Sequence, residues 1–265
     1  MMKDVLDEIV AWKRIEVDKQ KEIFPARDLY AKVEDIMQEG LVRHSMSKAL
    51  IESSYGIIAE FKRKSPSKGW IKEEGRPEII PPSYAEHGAS ALSILTDEKY
   101  FGGSLDFIRV ARPLVQLPIL RKDFIIDEYQ LFQARYVGAD AVLLIAADLK
   151  RDEVKTLTNT AHQLGLEVLL EMHAIHELDY ADLDVDMIGI NNRNLGTFHT
   201  DVQNSFTLAE KLPTDKVRVS ESGIGDPETI KLLRKVGFRG FLMGEHFMKS
   251  NNPGVTLGEF IERLK

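Results

Sequence analysis

The chain has 265 residues, with 35 Lys and Arg against 42 Asp and Glu, 43% hydrophobic residues and no cysteine. This composition is typical of a soluble globular protein, and it excludes collagen-like repeats, low-complexity disorder and a disulfide scaffold. The formal net charge of −7 argues against a general nucleic-acid binder, because contacts to a phosphate backbone need a clustered excess of Lys and Arg.

The first 20 residues mix acids and bases with single apolar residues, so they lack the core of a signal peptide. The chain also has no apolar run of 18 residues, so we expect no membrane span, with the cytoplasm as the default compartment. Helical spacing of apolar residues in 1–50 predicts two or three helices before the first strand. We expect this N-terminal helical extension to cap the outside or the bottom of the fold, with closure over a substrate as the alternative.

Eight nearly continuous apolar segments follow the extension, and they are typical of parallel strands covered on both faces. They are residues 56–61, 90–96, 117–123, 140–147, 166–172, 186–193, 216–222 and 240–245. Helix signals lie between them, such as the cap at Asp127 with a stop at Gly138, and the cap at Asp226 followed by Pro227.

The spacing of these segments, roughly 26 residues for each strand and helix, predicts a (β/α)8 TIM barrel formed by the whole chain as a single domain. An open doubly wound sheet is the competing architecture, but no Gly-x-Gly-x-x-Gly turn follows the first strand. The loop over 64–82 is too long and too polar for a simple connector, so a mobile lid is one interpretation of it.

Polar residues end most of the apolar segments, and the active site of such a barrel lies at the carboxyl ends of its strands. These residues are Glu60, Lys62, Lys122, Glu171, Asn191, Arg193, Glu221, Ser222, Gly244 and Glu245. Taken singly, each could be a solvated charge or part of a structural ion pair. Together they favour proton-transfer chemistry, because neighbouring carboxylates and lysines perturb one another's pKa values.

Glycine turns after the seventh and eighth strands, at Gly223 and Gly244, match the usual phosphate site of this barrel, although a lone glycine can simply mark a tight turn. Ser65 and its neighbours on the long loop could contact the same phosphate, with solvated loop charge as the alternative. His173 and His176 lack a metal-ligand spacing, and we expect no metal site.

Seven motifs in their order carry a resemblance that spans nearly the whole chain. They are IIAEFKRKSPSKG, TDEKYFGGS, PILRKDFIID, LLEMH, IGINNRNL, VSESGI and LMGEHFM. The chain resembles the indole-3-glycerol-phosphate synthase family, whose members often have Phe where this chain has Tyr100. The resemblance implies a reaction without a cofactor, in which 1-(2-carboxyphenylamino)-1-deoxyribulose 5-phosphate is cyclised with loss of CO₂ and water.

The resemblance also implies roles for the strand-end residues. Lys122 matches the general acid of ring closure, and Glu60 would stabilise positive charge on the substrate nitrogen. Glu171 and Lys62 would share the dehydration step, with the assignment of acid and base left open. The remaining catalytic and binding positions are Asn191, Arg193 and Ser222 for polar groups, Glu221 for orientation, Ser65, Gly223, Gly244 and the backbone of Glu245 for phosphate, and Pro66, Phe101 and Ile145 for the anthranilate ring.

Two rival functions stay open at this point. Another phosphosugar barrel, such as a phosphoribosylanthranilate isomerase, would share the phosphate turns, and a barrel that has lost catalysis would keep only a phosphate pocket. The expected partner is a small phosphosugar, with no nucleic acid or membrane, and the expected state is a monomer. We also expect Lys122→Ala to abolish turnover with the fold intact, because a lysine on the rim contributes little to stability.

Overall fold

The computed structural model describes residues 5–40, 43–194 and 198–265, so residues 1–4 and 41–42 of the predicted extension lie outside the described residues. Eight parallel strands form a closed barrel, and each one pairs with its neighbours in chain order. The strands are β1 (Ile57–Phe61), β2 (Ala91–Leu95), β3 (Ile119–Lys122), β4 (Ala141–Ile145), β5 (Glu167–Met172), β6 (Met187–Asn191), β7 (Val217–Glu221) and β8 (Phe238–Met243). The predicted (β/α)8 barrel is therefore confirmed.

Helices surround the barrel and precede it. They are α1 (Val5–Ile23), α2 (Ala26–Gln38), α3 (Met46–Glu52), α4 (Ile80–Glu86), α5 (Glu98–Phe101), α6 (Leu105–Ala111), α7 (Glu128–Val137), α8 (Arg151–Gln163), α9 (Gln203–Ala209), α10 (Pro227–Lys235), α11 (Glu245–Met248) and α12 (Pro253–Glu262). The Asp127 carboxylate accepts the Tyr129 N–H at 2.9 Å, and Gly138 ends α7 in the left-handed region. Pro227 begins α10 directly after its cap residue Asp226. Both predicted helix starts are confirmed.

The core has two layers, one inside the barrel and one between the barrel and its helices. Inside the barrel, Ile58, Leu120 and Leu169 are fully buried together. Met46 and Leu50 of α3 join this inner cluster and are also fully buried. Because α3 packs against the barrel strands, it covers this inner cluster from below.

The extension reaches both ends of the barrel. Whereas α2 packs on the outside, with Tyr30 stacked on Phe132 of α7 at 3.7 Å between ring centroids, α1 lies at the carboxyl ends of the strands. Lys13 of α1 is 1% exposed and pairs with Asp97 and Asp123 at 2.9 Å each, just beyond the ends of β2 and β3. α2 therefore lies where the capping role predicts, on the outside of the barrel, whereas α1 lies at the end where the alternative role, closure over a substrate, would place it.

The long polar loop after β1 contains more structure than its sequence indicates. Lys64–Ser65 and Gly69–Trp70 form a short antiparallel ladder, and α4 begins at Ile80, inside the predicted loop of 64–82. The prolines that follow Ile80 suit the first turn of a helix, because the N–H groups there need no partner within the helix. None of the described helices has the length and apolar character needed to cross a membrane.

Candidate active site

A cavity of about 910 Å³ opens at the carboxyl ends of the strands. All of the predicted site residues line it, and they are Glu60, Lys62, Ser65, Pro66, Phe101, Lys122, Ile145, Glu171, Asn191, Arg193, Glu221, Ser222, Gly223, Gly244 and Glu245. Parallel strands bring their carboxyl ends to one rim, so residues far apart in the chain share this cavity.

Lys122, the last residue of β3, lies between two carboxylates from other strands. Its Nζ donates to Glu171 Oε2 at 2.6 Å and lies 3.2 Å from Glu221 Oε2. Burial lowers the pKa of Lys122, but the charges of Glu171, Glu221 and Glu60 outweigh burial and raise that pKa above its usual range. Lys122 is therefore a cation at neutral pH.

The Lys122 side chain is only 13% exposed, so the expectation of a rim lysine is wrong. Removal of the Lys122 side chain would leave two buried carboxyls without their cation, and this would destabilise the fold. The sequence could not reveal this burial, because Glu171 and Glu221 come from strands that are distant in the chain.

The two carboxyls beside Lys122 have different charge states. Burial alone would raise the pKa of Glu171, but Lys122 and His173 hold that pKa well below its usual value. Burial, together with the charges of Glu171 and Glu60, raises the pKa of Glu221 to about 7, although Lys122 opposes the shift. At neutral pH Glu171 is an anion able to accept a proton, whereas Glu221 is close to half protonated.

A second acid–base pair lies on β1 and just after it. Lys62 Nζ is 2.5 Å from Glu60 Oε1, and Glu60 is 3% exposed. A Cβ at Gly244 would collide with the Glu60 carboxylate, so the glycine at the end of β8 leaves room for that side chain. Gly189 of β6 does the same for Glu221, a function that the sequence analysis missed because the glycine lies within an apolar strand.

The turn after β7 holds an unusual backbone. Ser222 and Gly223 have φ values of 67° and 75°, in the left-handed region that only glycine adopts at little cost. The side-chain amide of Asn192 donates to the Ser222 carbonyl at 3.0 Å, and its Oδ1 accepts the Ser205 hydroxyl at 2.8 Å. Asn192 is 4% exposed and fixes this turn, although nothing in the sequence distinguishes it from its neighbours Asn191 and Arg193.

Cationic side chains lie near the same turn. Arg193 donates to Ser67 at 3.0 Å and pairs with Glu245 at 3.3 Å, and Lys249 donates to Glu245 at 2.6 Å. Although burial would raise the pKa of Glu245, Lys249 and Arg193 lower it. The negative charge of Glu245 is thereby compensated by two cations, and Lys68 adds another positive charge to the cavity lining. This lining suits an anionic ligand.

Apolar side chains form another part of the lining. The predicted residues Pro66, Phe101 and Ile145 are joined by Phe124, whose ring centroid is 6.0 Å from that of Phe101. Three residues of α1 that were not predicted also line the cavity, namely Val5, Leu6 and Ile9. The cavity therefore accommodates a ligand with both an apolar ring and an anionic group. Within the described ranges, no three His, Asp or Glu side chains converge as a metal site would require.

Solved structures share this fold at low sequence identity. The tryptophan synthase alpha subunit of Legionella pneumophila superposes with a TM-score of 0.62 and 13% identity, covering 84% of this chain and 99% of that one. The 3-hexulose-6-phosphate synthase of Salmonella typhimurium gives a TM-score of 0.62 and 11% identity, covering 79% of this chain and 98% of that one. At such identities the likeness concerns the fold alone.

Sequence comparisons go further. The indole-3-glycerol phosphate synthase family matches residues 6–260. The indole-3-glycerol phosphate synthase of Bacteroides thetaiotaomicron is 62% identical over 264 residues and covers 100% of both chains. That of Bordetella pertussis is 42% identical, covering 98% of this chain and 100% of its own. This chain belongs to the indole-3-glycerol phosphate synthase family.

Proposed function

We propose that the protein converts 1-(2-carboxyphenylamino)-1-deoxyribulose 5-phosphate to indole-3-glycerol phosphate, CO₂ and water, as a step of tryptophan biosynthesis. The observation that carries this proposal is the cation of Lys122 held between Glu171 and Glu221, in one cavity with the Glu60–Lys62 pair. Membership of the family supports the choice of substrate. The chain's own side chains supply an acid, a base and a second acid.

Ring closure uses Lys122 as the acid. The ring carbon that carries the carboxylate attacks the ketone carbon, and the ketone oxygen takes a proton from Lys122 to become a hydroxyl. The substrate nitrogen becomes positively charged, and the buried Glu60 carboxylate stabilises that charge. Loss of CO₂ then returns an electron pair to the ring system and neutralises the nitrogen.

Dehydration uses Glu171 and Lys62, with the anionic Glu171 as the base and Lys62 as the acid. Glu171, with its lowered pKa, removes a proton from the ring carbon next to the hydroxyl-bearing carbon. Lys62 gives a proton to the hydroxyl, which leaves as water. Glu171 can return its proton to Lys122 across 2.6 Å, and Lys62 regains one from solvent. The cycle consumes one proton overall, as the loss of a carboxylate as CO₂ requires.

The remaining residues bind the substrate in this proposal. Ser65, Gly223, Gly244 and the backbone of Glu245 hold the phosphate, near the cations Arg193 and Lys249. The apolar wall of Pro66, Phe101 and Ile145 packs against the anthranilate ring. Asn191 and Ser222 bind the polar groups of the substrate, and Glu221 orients those groups. We further propose that the chain is one barrel domain with 1–50 as its extension, and that it works as a monomer, which sedimentation would test.

A choice between two substrates tests the proposal. The purified protein is given the carboxyphenylamino deoxyribulose phosphate in one reaction and phosphoribosylanthranilate in another, and the products are identified by mass. We expect indole-3-glycerol phosphate from the first substrate and no change in the second. Isomerisation of the second substrate would instead support the rival phosphosugar barrel, and a folded, phosphate-binding protein inert towards both would indicate a barrel without catalysis.

A further inference from the structure

The carboxylate of Glu171 has a second neighbour besides Lys122. His173 follows β5 directly, and its Nε2 lies 3.1 Å from Glu171 Oε1, while Lys122 contacts the other oxygen, Oε2. The His173 side chain is 11% exposed and sits behind Glu171, outside the set of described residues that line the cavity. The reaction steps proposed above do not use this histidine.

We propose that His173 is a positioning residue, whose imidazolium holds Oε1 of Glu171 so that Oε2 stays against Lys122 and Glu171 remains anionic until it accepts the proton of the dehydration step. This inference rests on the proposed function, because it assigns a purpose to the histidine within that reaction. His173 touches neither the cavity nor the reacting atoms in this assignment, and it acts only through Glu171.

The backbone on both sides of the imidazole is fixed. The His173 N–H donates to the Glu177 carboxylate at 2.5 Å, and its carbonyl accepts a hydrogen bond from Asn204 at 3.0 Å. Neither ring nitrogen has a hydrogen-bond partner of good geometry among the described residues, so the contact of Nε2 with Glu171 is an ion-pair contact. Of the described residues, Glu171 alone lies within ion-pair distance of the ring.

The surroundings of the ring favour its charged form. Three carboxylates act on its charge, namely Glu171 on β5, Glu177 in the turn 175–180 and Glu221 on β7. Burial lowers the pKa of His173, but these carboxylates outweigh burial and raise that pKa above its usual value. These charges therefore favour the imidazolium form beside Glu171.

The order of proton transfers explains why a second cation is needed. Lys122 gives up its proton during ring closure, and it stays neutral until Glu171 returns one. During that interval Lys122 no longer stabilises the negative charge of Glu171, which is the moment before Glu171 must act as a base. His173 keeps a positive charge beside the carboxylate over the same interval. Without it, the burial of Glu171 would favour the protonated form, which cannot accept a proton.

The kinetic test uses His173→Gln, whose amide can still donate a hydrogen bond but carries no charge. We expect kcat to fall about tenfold, because the positive charge beside Glu171 is lost although the amide can still donate, while KM changes by less than about twofold. The wild-type decrease in kcat as His173 loses its proton should be absent from the variant's pH profile. His176→Gln, at an exposed histidine three residues further on, is the matched control and should leave kcat unchanged.

An NMR titration supplies a readout that does not depend on activity. In the wild-type protein the His173 ring should titrate above the ordinary histidine pKa of about 6.5, and in Glu171→Gln its pKa should fall. A wild-type pKa at or below the ordinary value overturns the inference, as does a folded His173→Gln protein with wild-type kcat and pH profile. If the wild type fails to convert its substrate, the proposed function fails instead, and the titration still decides whether His173 and Glu171 form a charged pair.

Discussion

Replacing Lys122 by methionine keeps most of the side-chain volume but removes the cation that contacts Glu171 at 2.6 Å and Glu221 at 3.2 Å. Removing one partner of a buried ion pair typically destabilises a protein by about 3–5 kcal/mol, because a charge is left uncompensated. A carboxyl can avoid that state by binding a proton. The cost of protonation therefore limits the penalty that the unpaired carboxyl imposes on the variant.

This limit depends on pH in a calculable way. An unperturbed glutamate titrates at 4.5, and holding Glu171 protonated above that pH costs about 1.4 kcal/mol for each pH unit. The cost is about 3 kcal/mol at pH 7 and below about 1 kcal/mol at pH 5. Glu221 adds little at pH 7, since its pKa is already raised to about 7. A carboxyl whose folded pKa is raised stabilises the fold less as the pH rises, so the difference from wild type should grow with pH.

Two measurements on two variants test this reasoning. Urea denaturation of Lys122→Met at pH 5 and pH 7 should show the stability difference from wild type widening, and kcat should fall by about 10²–10⁴, the contribution of a general acid. Lys122→Arg keeps the charge but cannot release a proton at neutral pH, so it should be more stable than Lys122→Met and equally impaired in turnover. The reasoning would be refuted by a wild-type kcat in Lys122→Arg, or by a stability difference between Lys122→Met and wild type that does not change with pH.

Three further predictions concern other parts of the site. Gly244→Asp should weaken the binding of inorganic phosphate by about tenfold or more, since it adds a negative charge and collides with Glu60; unchanged affinity in calorimetry would count against the phosphate site. Glu221→Gln should be more stable than wild type by up to about 3 kcal/mol at pH 8 but not at pH 5, because the raised pKa of Glu221 makes its ionised form unfavourable. If urea denaturation gave the same stability difference between variant and wild type at both pH values, this cause would be excluded. Lys13→Met should lower the free energy of unfolding by about 3–5 kcal/mol, because Asp97 and Asp123 lose a buried partner; an unchanged denaturation midpoint would contradict that.

The barrel and the position of its site could be predicted because both depend on simple features of the sequence. Continuous apolar runs such as 140–147 each contain one strand of the barrel. A closed parallel barrel brings the carboxyl ends of all its strands to the same rim. Polar residues placed just after those runs, such as Lys122 and Glu221, must then share one cavity. Only the order of the strands had to be correct for this prediction.

What the sequence did not reveal are contacts between distant segments. Helical periodicity showed that one face of α1 is buried, but it did not show against which end of the barrel. Lys13 lies on that face, between the buried residues Val10 and Val17. A charged residue on a buried helix face indicates that another segment of the chain supplies an oppositely charged partner. His173 was considered only as a metal ligand, because its distance from Glu171 depends on how the chain leaves β5.

In the proposed reaction this chain's own acids and bases couple ring closure to decarboxylation and dehydration. That coupling can be measured with substrate that carries a ¹³C-labelled carboxylate, in the presence of a chelator, by following labelled CO₂ and indole fluorescence in the same reaction. We expect purified wild-type protein to release one labelled CO₂ for each indole formed, without added metal or nucleotide. A folded wild-type protein that binds phosphate yet forms no indole, or forms indole without releasing the label, would contradict it.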